Sequence, residues 1–224
     1  MPARAEIESL LRARKLDVTL TSAAPLTHGV RAVAPTGMPA LDTALGGGLP
    51  RGHLSEIVGP RSSGRTTVLC RMLAAAAARG EAVALIDTCD RFDPASAEAS
   101  GLDLSKLLWV RDTGDAIRAL KGMNLVLQAG GFGIVAFDLA DVPGPGVRQF
   151  PHTTWMRIGR VIEGSQTTAL IIGAERIARS PGGVTIALDR SRPQWSGTAD
   201  RARLLRALDL QPRIVGGKIS SAWQ

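Results

Sequence analysis

The chain has 224 residues, 45% hydrophobic and 21% charged, which excludes a globally disordered polypeptide and suits one compact domain with a small appendage. Lys and Arg total 27 against 20 Asp and Glu, a net charge of +7, and with only Lys15, Lys106, Lys121 and Lys218 as lysines the excess is arginine. Planar guanidinium forks suit phosphate contact, although an arginine-rich genome gives the same surplus. Aromatics at 4%, with no Tyr, argue against a base-stacking platform for single strands. The longest apolar run, Met72 to Ala78, falls far short of a membrane-spanning helix. Met1-Pro2-Ala3-Arg4 opens no secretory leader, so a cytoplasmic protein is expected. Cys70 and Cys89 cannot alone build a disulfide framework or a four-ligand zinc site and read as reduced thiols. His28, His53 and His152 lack metal spacing.

In chain order, Met1 to about Lys15 reads as a short amphipathic helix through Ile7, Leu10 and Leu11, free to pack on its own core or in a neighbour's groove. Leu16 to Leu20 alternates like a strand, and Thr21 to Pro35 reads as a linker. The spacing therefore predicts an N-terminal arm over 1–30 and a core domain over 31–224. Pro39 to Leu45 is a helix stopped by three glycines. His53 to Val58 is an apolar strand, Gly59 to Gly64 a loop, and Arg65 to Arg79 a helix ending at Gly80. Strands follow at Ala82 to Ile86, Leu107 to Arg111, Ile134 to Asp138, Thr168 to Ile172 and Val184 to Asp189. Helices lie between them at Pro94 to Ser100, Thr113 to Gln128 and Thr153 to Glu163, with a Pro/Gly loop over Val142 to Pro151. Leu204 to Arg206 and Gln211 to Val215 suggest a terminal strand pair. Such alternation predicts an α/β fold with a mostly parallel, twisted sheet flanked by helices.

The strongest motif is Gly59-Pro60-Arg61-Ser62-Ser63-Gly64-Arg65-Thr66-Thr67, which fits Gly-x4-Gly-Lys-Ser/Thr with Arg65 in the lysine position. An apolar strand enters it and a helix leaves it, so backbone N–H groups and the helix's positive end converge on one point. Thr66 is then placed to ligate Mg²⁺. Arginine holds phosphate as a planar fork but is bulkier than lysine, so it need not occupy the same slot. The plainer alternative is a Gly-rich turn that binds nothing. Ile134 to Asp138 has the form of a Walker B strand, whose carboxylate either helps to hold Mg²⁺ or caps the next turn.

Thr36-Gly37-Met38-Pro39-Ala40-Leu41-Asp42, Leu45 to Gly52, Glu56-Ile57-Val58-Gly59-Pro60, Leu85-Ile86-Asp87, Phe92-Asp93-Pro94 and Gly101-Leu102-Asp103-Leu104 together resemble the RecA family of recombinases and related ATPases. The likeness covers about residues 33–189 and is most specific over 33–108. It implies a RecA-like P-loop core, here with weak or vestigial ATP and Mg²⁺ binding, with DNA as a partner and homo-oligomers as an assembly. In active members a glutamate before the Asp-Pro pair activates the attacking water. Here the segment is Asp87-Thr88-Cys89-Asp90, so Cys89 holds that place, and Asp90 could substitute only with a backbone shift. A thiol does not polarise water as a carboxylate does, so at most weak hydrolysis is expected. The segment after Asp138 faces DNA in RecA-like proteins, which makes Arg148, Arg157 and Arg160, with His152 beside them, candidates for phosphate contact. Arg176, Arg179, Arg190 and Arg192 form a second basic group. A solvated basic face explains either group equally well. The loop at Gly173 to Gly183 is short for a recombinase, and no counterpart of RecA's C-terminal domain is expected.

A shortened, catalytically altered RecA-like chain is similar to the ImuA subgroup of bacterial damage-induced mutagenesis systems, as is the closing pattern Ala187 to Arg192, Trp195, Arg203 to Arg206 and Arg213 to Val215. That similarity implies an adaptor in SOS translesion synthesis. Its partners would be an ImuB-like Y-family polymerase homologue, an error-prone replicative-type polymerase, RecA itself and single-stranded DNA, in the bacterial nucleoid. The alternative is an active DNA-dependent ATPase of the RecA/RadA type. Trp195 and Trp223 are candidate interface anchors or packing residues.

Overall fold

The computed structural model describes residues 32–189, 192–197 and 204–216. The expected arm over 1–30, His28, Arg190, Arg203 and Trp223 lie outside them, as do the side chains of Arg192 and Trp195.

Strands are β1 (Val33–Ala34), β2 (Leu49–Pro50), β3 (Leu54–Val58), β4 (Ala82–Asp87), β5 (Leu107–Arg111), β6 (Phe132–Asp138), β7 (Thr168–Gly173), β8 (Thr185–Leu188), β9 (Arg192–Ser196), β10 (Leu204–Asp209) and β11 (Pro212–Gly216). The α-helices are α1 (Pro39–Leu45), α2 (Arg65–Ala78), α3 (Pro94–Ala99), α4 (Ala116–Ala129), α5 (Gly144–Arg148) and α6 (His152–Ile162). Seven strands form one sheet in the order β11-β8-β3-β7-β6-β4-β5, parallel except where β11 joins β8.

The sheet is buried on both faces, which is why its strands read as continuous apolar runs. Successive side chains still alternate. Ile57, Leu85, Ile134, Ala136 and Leu170 pack with α2 through Leu69, Met72 and Leu73. Leu54, Ile86, Val135, Phe137 and Ile171 pack with α4 and α6 through Met123, Leu127, Trp155 and Ile158. The alanine run of α2 lets backbone come close, since a Cβ on Gly37 (φ 76) would stand 2.8 Å from Ala75 Cβ. Asp93 and Asp115 cap α3 and α4 through the N–H groups two and three residues on.

Two expectations are corrected. The loop over Val142 to Pro151 contains α5, because Pro143 and Pro145 fix φ at a helix start, where a missing N–H is harmless. The two closing strands do not pair with each other. β10 pairs with β9, a strand not among those expected from the sequence, while β11 extends the main sheet with Ile214 opposite Ile186. That pairing covers the outer edge of β8.

The register aligns the carboxyl ends of the central strands. Val58 lies opposite Gly173, Asp138 opposite Ile172, and Asp87 opposite Asp138. Open parallel sheets bind ligands at this edge.

Candidate functional site: a phosphate-type pocket

Strand β3 delivers Gly59, whose N–H donates to Gly173 O at 3.3 Å and so ties the loop to β7. A Cβ on Gly59 would meet Leu188 O at 2.4 Å and Ser63 Oγ at 2.7 Å, so only glycine fits. The turn that follows closes through Ser63 N–H on Pro60 O at 3.3 Å, with Ser62 at φ 61 and Gly64 at φ 93. Helix α2 then begins at Arg65, and Val68 N–H on Gly64 O is its first bond. No side chain caps this end, so the N–H groups of Arg65, Thr66 and Thr67 remain as donors with the positive end of a 14-residue helix behind them.

These donors border a cavity of about 500 Å³. Of the expected residues, Arg61, Ser62, Arg65, Thr66 and Asp138 line it; Gly59, Pro60, Ser63, Gly64 and Thr67 shape the loop behind. The structure adds Leu69, Arg91, Phe92, Ala140 and Asp141. Arg91 and Phe92 arrive because the buried Asp87 carboxylate takes their N–H groups at 3.0 and 2.8 Å and the Trp109 indole N–H at 3.2 Å. An Asp followed at four and five residues by its own turn was the available signal. Asp141 sits on the turn after β6 and holds Arg61 at 2.8 Å. Asp138 lines the cavity, and its Oδ1 accepts Ala140 N–H at 2.8 Å, so it caps the turn that follows β6.

The electrostatics are unusual for a lysine position. Arg65 is only 7% exposed, and its Nη1 has no hydrogen-bond partner. Burial pulls its pKa below the ordinary value, and the nearby Asp138 and Asp141 offset part of that loss. Neither forms an ion pair with it among the described residues. Burial likewise pushes the Asp138 carboxyl up to about 6, against the Ala140 N–H and Arg65, with Asp87 and Asp141 adding to the rise. Ser63 Oγ and Thr88 Oγ1 are also buried without partners.

Thr66 and Asp138, the expected Mg²⁺ ligands, do meet in the cavity. The set does not fit a resident Mg²⁺, because the buried guanidinium of Arg65, bulkier than the usual lysine, takes up the position beside Asp138. Among the described residues, no cluster of three His, Cys, Asp or Glu could hold a metal.

Cys89 lies within electrostatic reach of Asp141, Asp138 and Asp87; burial first, and then these carboxylates, raise its thiol pKa. Asp90 adopts φ 54 and turns to Arg111, which donates to both of its oxygens at 2.8 Å. Arg111 also stacks on Trp109 at 4.6 Å, and Trp109 meets Phe92 edge-on at 5.3 Å. Asp90 therefore does not line the cavity, and its carboxylate is engaged elsewhere.

The proposed DNA contacts divide. Arg148, Arg157 and Arg160 are exposed on α5 and α6, without an ion pair to any described residue. Arg176 and Arg179 instead border a second cavity of about 380 Å³, formed by the loop between β7 and β8. That loop is anchored. Glu56 on β3, 2% exposed, accepts the N–H groups of Ile177, Ala178 and Arg179 at 2.8, 2.9 and 3.1 Å. Arg176 donates to Val215 O at 3.3 Å. No helix among the described residues is long and apolar enough to cross a membrane.

Residues 19–145 match the family described as RecA N-terminal domain. Protein RecA of Symbiobacterium thermophilum is 44% identical over 108 residues, which make up 47% of this chain and 30% of that protein. Protein RecA of Rhodococcus jostii is 45% identical over 118 residues, 50% of this chain and 33% of that protein. The chain therefore spans only 30–33% of the length of these curated relatives. Among solved structures, the RadB recombinase matches in fold, with a TM-score of 0.54 at 19% identity over 70% of this chain and 83% of that one.

Proposed function

The chain belongs to the RecA family, and on that premise we propose that it is an accessory protein of error-prone translesion synthesis in the DNA damage (SOS) response. In this reading the RecA-like core is an adaptor. It docks an ImuB-like Y-family polymerase homologue, an error-prone replicative-type polymerase and RecA, and it touches single-stranded DNA through Arg148, Arg157 and Arg160 and through the separate pair Arg176 and Arg179. It works in the bacterial cytoplasm at the nucleoid, and self-association is compatible with the fold. ATP occupies the phosphate pocket and is hydrolysed weakly or not at all.

One observation carries this reading. The loop keeps its donors, but Cys89 stands where the family's water-activating acid would be, and Asp90 beside it is held by Arg111. The alternative, an active DNA-dependent ATPase of the RecA/RadA type, needs Arg65 and Asp90 as working replacements, and the Asp90–Arg111 pair weighs against it. Measuring ATP turnover with and without single-stranded DNA, beside an active recombinase, separates the two. Turnover at background, together with co-purification of the polymerase homologue, is the expected result. DNA-stimulated turnover near that of the active enzyme overturns the adaptor reading.

A further inference from the structure

We infer that the phosphate pocket takes its nucleotide without a divalent cation, because the guanidinium groups of Arg61, Arg65 and Arg91 supply the positive charge that lysine and Mg²⁺ supply in an ordinary phosphate loop. The inference rests on the nucleotide reading above and adds how the charge is met.

The geometry carries it in three steps. An ordinary loop of this type meets the outer phosphates with one lysine and one divalent ion, three positive charges in all. Here three arginines line one cavity of about 500 Å³. Arg61 enters from the loop, Arg65 from the first turn of α2, and Arg91 from the turn that Asp87 organises. Second, Arg65 is buried with an unpartnered Nη1, a donor that an apolar wall would leave costly and that a phosphate oxygen satisfies. It stands beside the open N–H groups of Arg65, Thr66 and Thr67, so side-chain and backbone donors converge on one anion. Third, a divalent ion would compete with these guanidinium groups. The buried guanidinium of Arg65 already lies within electrostatic reach of Asp138 and Asp141. Arg61 is 84% exposed at its side chain, so its pair with Asp141 is weak and yields to an incoming phosphate.

The test titrates the full chain with ATP and, separately, with inorganic pyrophosphate, in EDTA and in excess Mg²⁺. ATP is expected to bind with an affinity that changes by less than about threefold between the two buffers. Arg91→Ala, at an exposed position, is expected to weaken binding in EDTA by about tenfold or more. Arg65→Lys is expected to make binding Mg²⁺-dependent, with thermal melting confirming that each variant folds. Wild-type binding that is lost in EDTA and restored by Mg²⁺ overturns the inference and leaves the nucleotide reading standing. Absence of binding in both buffers overturns both. Full binding by Arg91→Ala in EDTA also counts against the inference.

Discussion

The loops that follow β3 and β7 start side by side, tied by Gly59 N–H on Gly173 O, yet they treat their donors in opposite ways. The phosphate-type loop leaves the N–H groups of Arg65, Thr66 and Thr67 and the buried Nη1 of Arg65 open. The loop between β7 and β8 presents three consecutive N–H groups, with Arg179 at φ 45, and Glu56 consumes all three from inside. Both are concave arrays of amides of the kind that bind anions. One is closed by the chain's own carboxylate and builds structure; the other keeps its donors unspent, as the nucleotide proposal requires. A donor array identifies a ligand site only after its internal acceptors have been counted.

The largest effect is expected from opening the closed loop. Glu56→Ala strands three buried or half-buried N–H groups, each bonded to a charge, and should lower stability by about 3–5 kcal/mol in denaturant titration. Glu56→Gln keeps one acceptor and should cost roughly half as much. Amide hydrogen exchange at Ile177, Ala178 and Arg179 should accelerate in both variants. Unchanged protection at those amides would mean that Glu56 does not hold the loop.

A smaller effect is expected in the open pocket. The Asp138 carboxyl rises from an ordinary 3.8 to about 6, mainly through burial. A raised carboxyl binds its proton more tightly when folded, so the folded state carries no penalty below about pH 4. The penalty grows as pH rises through about 6 and is complete above it. Asp138→Asn should therefore match the wild type near pH 4 and exceed its stability by on the order of 2 kcal/mol near pH 7.5. A stability difference that stays flat across that range would show that the pocket already satisfies this charge.

This contrast explains what could be read in the sequence. The β3–loop–α2 unit was legible because an apolar run, two obligatory glycines and an alanine-rich helix are contiguous; Arg65 and Thr66 followed from it, and Asp138 from the apolar strand that it ends. Arg91 and Asp141 were missed because they reach the cavity through turns rather than motifs. Glu56 read only as part of a strand, since its partners lie 121–123 residues downstream, beyond any local pattern. The closing strands were recognised as strands, but their partners were not. The same apolar alternation serves an edge strand of the main sheet and a separate antiparallel pair, and only tertiary packing chooses between them.

The smallest effect is expected at Cys89, where the comparison is sharpest because the residue sits beside the open pocket. A working thiol would have to be ionised, and burial together with Asp141, Asp138 and Asp87 raises its pKa above the ordinary range. Thiolate is therefore scarce at neutral pH, and alkylation of Cys89 by iodoacetamide should be slow near pH 7 and still climbing above pH 9. Cys89→Ser should leave ATP affinity and residual turnover unchanged, because a protonated thiol contributes no base that serine removes. A drop in turnover for that variant, with an alkylation rate that levels off below pH 8, would show that the thiol is poised for chemistry after all and that this position has gained a function rather than lost one.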